Sequence, residues 1–243
     1  IDAWTQESVR VKGEFYEAPY PYETGVEGYP AWEIARDAGA EGEIGSDGSV
    51  QRVSVVPKPF QKPHPPVFVA ASKSQASIDF CARNGFIPTY FMPTKGVVEL
   101  SEYYNRVANE SGFNVQLGQN QNIVRWPHFA DTAAGYDKKL REYDLDIYKN
   151  FYGPFFPQFP QGTEDELLQG MKDSGIFIGG TVDECIAEWR GIYDQVPCEY
   201  ITLIWHWAQQ PKDDMLEELQ TFLDKVVPEL EVPDFQPATQ AAE

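Results

Sequence analysis

The stretch from Pro65 to Gly85, PPVFVAASKSQASIDFCARNG, holds the unit from which the fold is read. It opens on an apolar run over residues 67–71 and breaks at Ser72-Lys73-Ser74-Gln75-Ala76-Ser77. It then resumes with Ile78, Cys81 and Ala82 at the spacing of one helix face. A near-continuous apolar run is the pattern of a strand buried on both faces. A strand that leads through a short polar turn into a helix is half of a parallel βα unit.

The same rhythm continues outward from this stretch. Apolar runs at 86–91, 121–130 and 199–207 are followed by helical patterns at 96–111, 132–150 and 212–227, with further helices expected at 164–173 and 182–195. The last helix places Met215, Leu216, Leu219, Phe222, Leu223, Val226 and Val227 at helical spacing. Before the first unit the chain is different. Residues 10–64 are rich in Gly, Pro and Tyr and read as an excursion. It has a short helix at 30–40, a strand at 50–56 and a Pro-punctuated extended segment. Residues 151–163 read as an aromatic, Pro-rich loop, and 231–243 as a disordered tail. Alternating strand and helix implies an α/β fold with a parallel sheet. About four βα units are legible, half the number in a closed (β/α)8 barrel of this length. Either a small open sheet or the C-terminal part of a larger barrel satisfies that count. The opening IDAWTQESV, already helical in pattern, favours the second.

A formal charge of −19 argues against nucleic acid and anionic membrane as partners. Eleven acids between Asp2 and Asp47 face three bases, Arg10, Lys12 and Arg36, so the first fifty residues read as solvated surface. Three widely spaced cysteines, Cys81, Cys185 and Cys198, form no C-x-x-C and suggest neither a disulfide framework nor a zinc site; a reducing cytoplasm is the expected location. No apolar run reaches membrane-spanning length. No H-E-x-x-H and no histidine pair at ligand spacing is present, so no metal is expected. No G-x-G-x-x-G precedes a helix. Gly179-Gly180 leads into Thr181 and Glu184, the spacing of a capping box. Asp213–Asp214 and Glu217–Glu218 read as a solvated helix face.

The 72–77 turn lies at the carboxyl end of a strand and the start of a helix, the edge where parallel α/β folds bind ligands. Free N–H groups and the helix dipole favour an anion there, and Ser74, Ser77 and Lys73 add hydroxyls and a charge. The alternative is that Ser74 is an ordinary N-cap and its neighbours fill the loop.

VVPKPFQKPHPPVFVAASKSQASIDFCARNGF, over residues 55–86, resembles the flavin-dependent monooxygenases of the bacterial luciferase-like superfamily. WTQESVRVKGEFY (4–16), FADT (129–132), FIGGTVDECIAEWR (177–190) and WHWAQQPKDDMLEELQTFLDKVVPEL (205–230) match in the same order. The matches span nearly the whole chain and belong to the C-terminal portion of that family. The resemblance implies a (β/α)8 barrel, present over 1–230 without its N-terminal strands. It also implies reduced FMN, O2, a small organic substrate, a separate flavin reductase and a homo-oligomer. Ala71, Ser72, Lys73, Ser74, Gln75 and Ser77 would then hold the FMN phosphate. The family often has Pro and an acid where Gln75-Ala76 stand, which leaves a side-chain contact by Gln75 open.

On the strand ending FADT, alternation puts Trp126 and His128 on one face and Arg125 and Phe129 on the other. Trp126 and His128 are candidates for the substrate pocket or for core packing. Trp207 and His206 sit near the end of the last strand and are placed to meet flavin or substrate, while Trp205 reads as core. His128 and His206 are also the catalytic candidates, the family's best-known catalytic groups having no counterpart in this chain. His64, flanked by prolines, reads as structural. Two further expectations stand beside the FMN enzyme: an F420-dependent oxidoreductase of the same superfamily, and a non-catalytic partial barrel that acts only with a partner chain.

Overall fold

The computed structural model describes residues 1–70, 74–155, 162–206 and 208–236. The chain divides into two compact units, Ile1–Pro66 and Val67–Glu243.

The first unit has little regular structure. Helix α1 (Asp2–Thr5) precedes a hairpin of β1 (Val11–Lys12) and β2 (Glu17–Ala18), and α2 (Trp32–Ala38) follows. The strand expected at 50–56 is absent. Val50 and Val53 make only isolated antiparallel bridges, to Val26, Ile44 and Val9. The turn at Gly48, with φ +82°, folds the chain back on itself there. Arg52 then ties the segment down through Ser8, with Nε on Oγ at 2.8 Å and Nη2 on the carbonyl at 2.8 Å. His64 packs against Trp4, and its Nδ1 lies 2.7 Å from the Pro65 carbonyl.

The second unit carries the βα rhythm. β3 (Phe68–Ala70) leads to α3 (Gln75–Asn84), β4 (Ile87–Tyr90) to α4 (Thr94–Glu110), and β5 (Asn122–Phe129) to α5 (Ala133–Lys139). The helical path then runs through a π turn, Leu140–Asp144, to α6 (Leu145–Ile147). A second π turn, Tyr148–Tyr152, leads into α7 (Gly153–Phe155). Next come α8 (Glu164–Asp173), β6 (Phe177–Gly180), α9 (Val182–Tyr193), β7 (Tyr200–Leu203) and α10 (Lys212–Thr221), which ends in a π turn at Phe222–Val226.

Local chemistry accounts for these bounds. α3 buries Ile78, Cys81 and Ala82, three and four residues apart, and stops at Gly85. Gly85 adopts φ +65°, a left-handed conformation that glycine takes without strain, and its N–H closes on the Cys81 and Ala82 carbonyls. Thr163 with Glu166 and Thr181 with Glu184 form complete capping boxes at the starts of α8 and α9. The Gly179-Gly180 pair thus precedes a cap, but it also closes β6, a strand the apolar periodicity had not revealed. Its small residues have a packing cause: a Cβ on Gly179 would overlap the Tyr136 ring.

The five strands β3–β7 are all parallel, with β3 beside β4, β4 beside β5, and β5 beside both β6 and β7. β7 runs along Asn122–Arg125 and β6 along Trp126–Phe129. The N–H groups of Trp126 and Ala130 point to β6, whereas the carbonyls of Gln121 and Arg125 point to β7, so these neighbours take opposite edges of β5. β4 reaches only Asn122 and Ile123, on the edge away from β7. The result is an α/β fold with an open parallel sheet; among the described residues the strands do not close into a barrel.

Alternation along β5 divides the core in two. Ile123 faces the helix layer with Ile178, Ile78, Tyr104, Trp189 and Phe222. Val124 and Trp126 face the other way, against Leu140, Tyr148, Leu167, Met171 and Phe177. The helical excursion after β5 therefore lies over one face of that strand. Arg125 is fully buried, with Nη1 on the Met92 and Val124 carbonyls at 3.1 and 2.8 Å and Nη2 on Thr94 Oγ1 at 2.9 Å. Burial lowers its pKa to about 10.

Candidate functional site

The site forms where the end of β5, the first π turn, the segment after β7 and α10 converge. From β5 come Trp126 and His128, two residues apart and so on one face. The π turn supplies Asp144; such turns insert a residue into a helix and re-aim the side chains around it. His206 follows β7, and Glu218 comes from the inner face of α10. All five side chains are buried.

They make one continuous hydrogen-bonded chain. Glu218 Oε2 lies 3.0 Å from His128 Nδ1, and His128 Nε2 lies 2.7 Å from Asp144 Oδ2. Asp144 Oδ1 lies 2.6 Å from His206 Nδ1, and Trp126 Nε1 donates to His206 Nε2 at 3.1 Å. An indole N–H only donates, so His206 Nε2 carries no proton, and the ring proton sits on Nδ1, pointing at Asp144. His128 meets a carboxylate at each nitrogen, so both nitrogens donate and the ring is an imidazolium. Glu218 is held from four further sides. Lys139 Nζ donates at 2.6 Å, Trp205 Nε1 at 2.9 Å, Gln210 Nε2 at 2.8 Å and the Phe129 N–H at 3.2 Å. Two cations, His128 and Lys139, therefore balance two carboxylates, the condition under which buried charge is tolerable.

The electrostatics follow. Burial opposes the His128 charge, but its hydrogen bonds to Asp144 and Glu218 outweigh it and push the pKa up to about 9. Burial would raise the Glu218 carboxyl, yet the bonds from His128, Lys139 and Gln210 pull it down to about 2. Asp144 is likewise lowered, burial being outweighed by His128 and His206. Both titrations leave a mark on stability. The His128 contribution is complete below its unfolded pKa of about 6.5 and is lost as pH rises through 9. The Glu218 contribution is present above about 4.3 and is lost as pH falls toward 2. Urea unfolding across the pH range is expected to show greatest resistance between about pH 5 and 6.5, with a decline toward pH 9 that His128→Gln removes.

A cavity of about 470 Å³ opens beyond the carboxyl ends of β5 and β6. Phe129, Thr181, Lys139, Lys225, Asp214 and Glu218 are among its walls. This is the position at which open α/β sheets bind ligands, and the volume lies in the range of small-molecule sites. Glu218 is the member of the buried chain that reaches this cavity. On the other side, Trp126 borders an aromatic slot with Phe91, Tyr148, Tyr152 and Phe177, stacking on Phe177 at 5.4 Å and meeting Phe91 edge-on at 4.8 Å.

The expected residues fall as follows. Trp126, His128 and His206 come together, but inside packed structure: His128 and Trp126 are each 1% exposed. Trp207 lies outside the described residues, as do Ala71, Ser72 and Lys73. Trp205, read as core, donates to Glu218; β7 ends at Leu203, so strand alternation no longer separates Trp205 from His206. Glu218 corrects the solvated-face reading of its acidic pair, since Glu217 is exposed and Glu218 is 3% exposed. Asp144 and Glu218 were not anticipated, having no local motif. Although two histidines and two carboxylates gather here, three of the four ring nitrogens are spent on carboxylate oxygens and the fourth accepts from Trp126. Among the described residues no group of three such side chains is placed to hold a metal ion. Among the described residues no helix is long and apolar enough to cross a membrane.

At the start of α3, Ser74 is the N-cap in extended backbone and makes no side-chain capping bond. The first turn of α3 holds no acid, as in α4 and α5 and unlike α8, α9 and α10, and Ser74 and Gln75 are exposed with Ser77 half-buried. A serine N-cap without a capping bond and an acid-free helix N-terminus following β3 suit a phosphate.

An open parallel α/β sheet with its cavity at the strand carboxyl ends is the class that fold and site define. No family model matches the chain, and no curated protein matches it. Among solved structures it is similar to the oxygenating constituent of 3,6-diketocamphane monooxygenase from Pseudomonas putida, a type II Baeyer–Villiger monooxygenase in complex with FMN. The identity is 15% and the TM-score 0.65, over 96% of this chain and 61% of that one. Monooxygenase RslO1 from Streptomyces bottropensis is similar at 18% identity and TM-score 0.60, over 93% of this chain and 57% of that one. An F420-dependent secondary alcohol dehydrogenase in complex with an F420–acetone adduct follows at 12% and 0.54, over 95% and 58%. At these identities the likeness shows the fold, which is consistent with the luciferase-like superfamily that the sequence resembles. The chain spans about three fifths of the length of these structures.

Proposed function

We propose that this chain is the C-terminal part of a luciferase-like (β/α)8 barrel, an FMN-dependent monooxygenase. It uses reduced flavin from a separate reductase, and O2, to oxidise a small organic substrate. The observation that carries the reading is the start of α3 after a strand of a parallel sheet, where Ser74 makes no side-chain capping bond and the first turn holds no acid. Ser74, Gln75 and Ser77, with Ala71, Ser72 and Lys73, would hold the cofactor phosphate. When bound, the flavin supplies the electrons that activate O2. Trp126 and Trp207 would form apolar wall on the substrate side, and His206, oriented by Asp144, would be the proton acceptor there. A cytoplasmic homo-oligomer is part of the same reading. A deazaflavin is the second reading, supported by the fold shared with the F420-dependent dehydrogenase.

Titration of the purified chain with FMN, followed by quenching of flavin fluorescence, is expected to show saturable binding. Ser74→Asp, which sets a negative charge at the anchor, should weaken it by about tenfold or more, about 1.4 kcal/mol. Binding of F420 but not FMN would select the deazaflavin reading. Binding of neither overturns both.

A further inference from the structure

We propose that the start of α4, after the carboxyl end of β4, binds a tetrahedral oxyanion of the phosphate type, with the buried Arg125 guanidinium as the charge behind it. The site needs no flavin and does not rest on the cofactor reading.

Arg125 is fully buried, and its hydrogen-bond partners are the Met92 and Val124 carbonyls and the Thr94 hydroxyl. None of these is a carboxylate, and Nε has no partner among the described residues. Glu188 of α9 acts on the guanidinium only through its field. A buried cation is costly unless an anion compensates it.

The position of the guanidinium sharpens that deficit. Nη2 lies 2.9 Å from Oγ1 of Thr94, the first residue of α4. This helix runs for 17 residues, and its N-terminus carries the positive end of the dipole. A cation and the positive end of a helix therefore meet here, with no carboxylate between them among the described residues. An anion at the helix start satisfies both.

The groups that would hold the anion are reachable from solvent. Thr94 is half-buried, and Pro93 and Lys95 are exposed. Pro93 is the N-cap and supplies no capping side chain, and the first turn holds no acid. The N–H groups of Gly96 and Val97 turn back to the Pro93 carbonyl. The N–H groups of Thr94 and Lys95 have no acceptor within the helix, as at any helix start. Thr94 Oγ1 accepts from Arg125, which leaves the hydroxyl proton for an outside acceptor. Arg125 thus orients the hydroxyl and supplies charge without touching the ligand. Lys95 adds an ammonium, and the first acid of α4, Glu99, lies more than one turn further on. Beside the hydroxyl, Gly175 brings no side chain, and even a Cβ there would stand 4.0 Å from Thr94 Oγ1. Backbone N–H, hydroxyl and ammonium together match the several acceptor oxygens of a phosphate group.

Amide NMR of the chain titrated with inorganic phosphate, at an ionic strength held constant with sodium chloride, tests this. The Thr94 and Lys95 amide signals should move saturably, and the Arg125 Nε–H signal should move with them. Because the readout is local to α4, phosphate held at the start of α3 is seen separately. Thr94→Val, which keeps the shape and removes the hydroxyl, should weaken binding by about tenfold, and Thr94→Ser should restore it. Lys95→Glu changes an exposed residue, leaves the fold intact and should weaken binding at least as much. Tighter binding of phenyl phosphate than of inorganic phosphate supports the site with an organic phosphate ester as its ligand; equal binding supports it with the free ion. Unmoved Thr94 and Lys95 amides, the same shifts with chloride alone, or unchanged affinity in Thr94→Val and Lys95→Glu overturn the proposal.

Discussion

Replacing Asp144 by alanine is expected to destabilise the second unit by about 3–5 kcal/mol, the usual consequence of removing one partner of a buried ion pair. The carboxylate is fully buried, and it alone joins His128 to His206. Without it, the His128 imidazolium keeps Glu218 at Nδ1 but faces empty space at Nε2, and His206 Nδ1–H loses its acceptor. Asp144→Asn keeps the volume and one acceptor oxygen, so it should cost less and yet still remove the charge. Urea unfolding monitored by tryptophan fluorescence measures both. Near-equal stability of Asp144→Ala and wild type would mean that the histidines are satisfied without Asp144, contrary to the geometry.

The second large effect is expected at Glu218. Glu218→Ala should cost about 3–5 kcal/mol for the same reason, since it leaves the His128 and Lys139 cations facing each other without their shared anion. Glu217→Ala, one residue away on the exposed side of α10, should change stability by no more than about 0.5 kcal/mol. The pair separates the effect of burial from that of helix charge, because both substitutions remove one carboxylate from the same helix. Equal effects would mean that Glu218 acts only through its charge on the helix surface. Glu218→Gln supplies a further check: it keeps the volume and one acceptor oxygen, so it serves only one of Trp205 and the Phe129 N–H, which donate to different oxygens, and should still cost less than Glu218→Ala.

These two residues show why part of the site was illegible from the chain. Glu217 and Glu218 are adjacent, identical in type and set in the same polar helix, and nothing local distinguishes them. What separates them is whether His128, ninety positions away along the chain, lies beneath. Asp144 is the same case. Its approach to the two histidines depends on a π turn at Leu140–Asp144, and no composition rule places such a turn. Trp126 and His128 could be paired because strand alternation is local and strict. Alternation would put Trp205 and His206 on opposite faces, but β7 stops at Leu203 and both side chains join the buried network. β6 escaped notice because its two glycines carry no apolar signal, and the Tyr136 ring supplies the bulk they lack.

The sequence by itself determined the elements whose causes are local. These are the parallel βα rhythm of the second unit, the helix that follows the serine-rich stretch after β3, and the capping box of Thr181 and Glu184. Each depends on residues within a turn or two of one another, so periodicity and cap chemistry suffice. Only the tertiary structure decided which polar side chains are buried, which are paired, and that β5 is flanked by β6 and β7 in an open sheet. Those outcomes rest on contacts between residues far apart in the chain. Taking a charge out of water is tolerable only when packing delivers its partner to hydrogen-bonding distance.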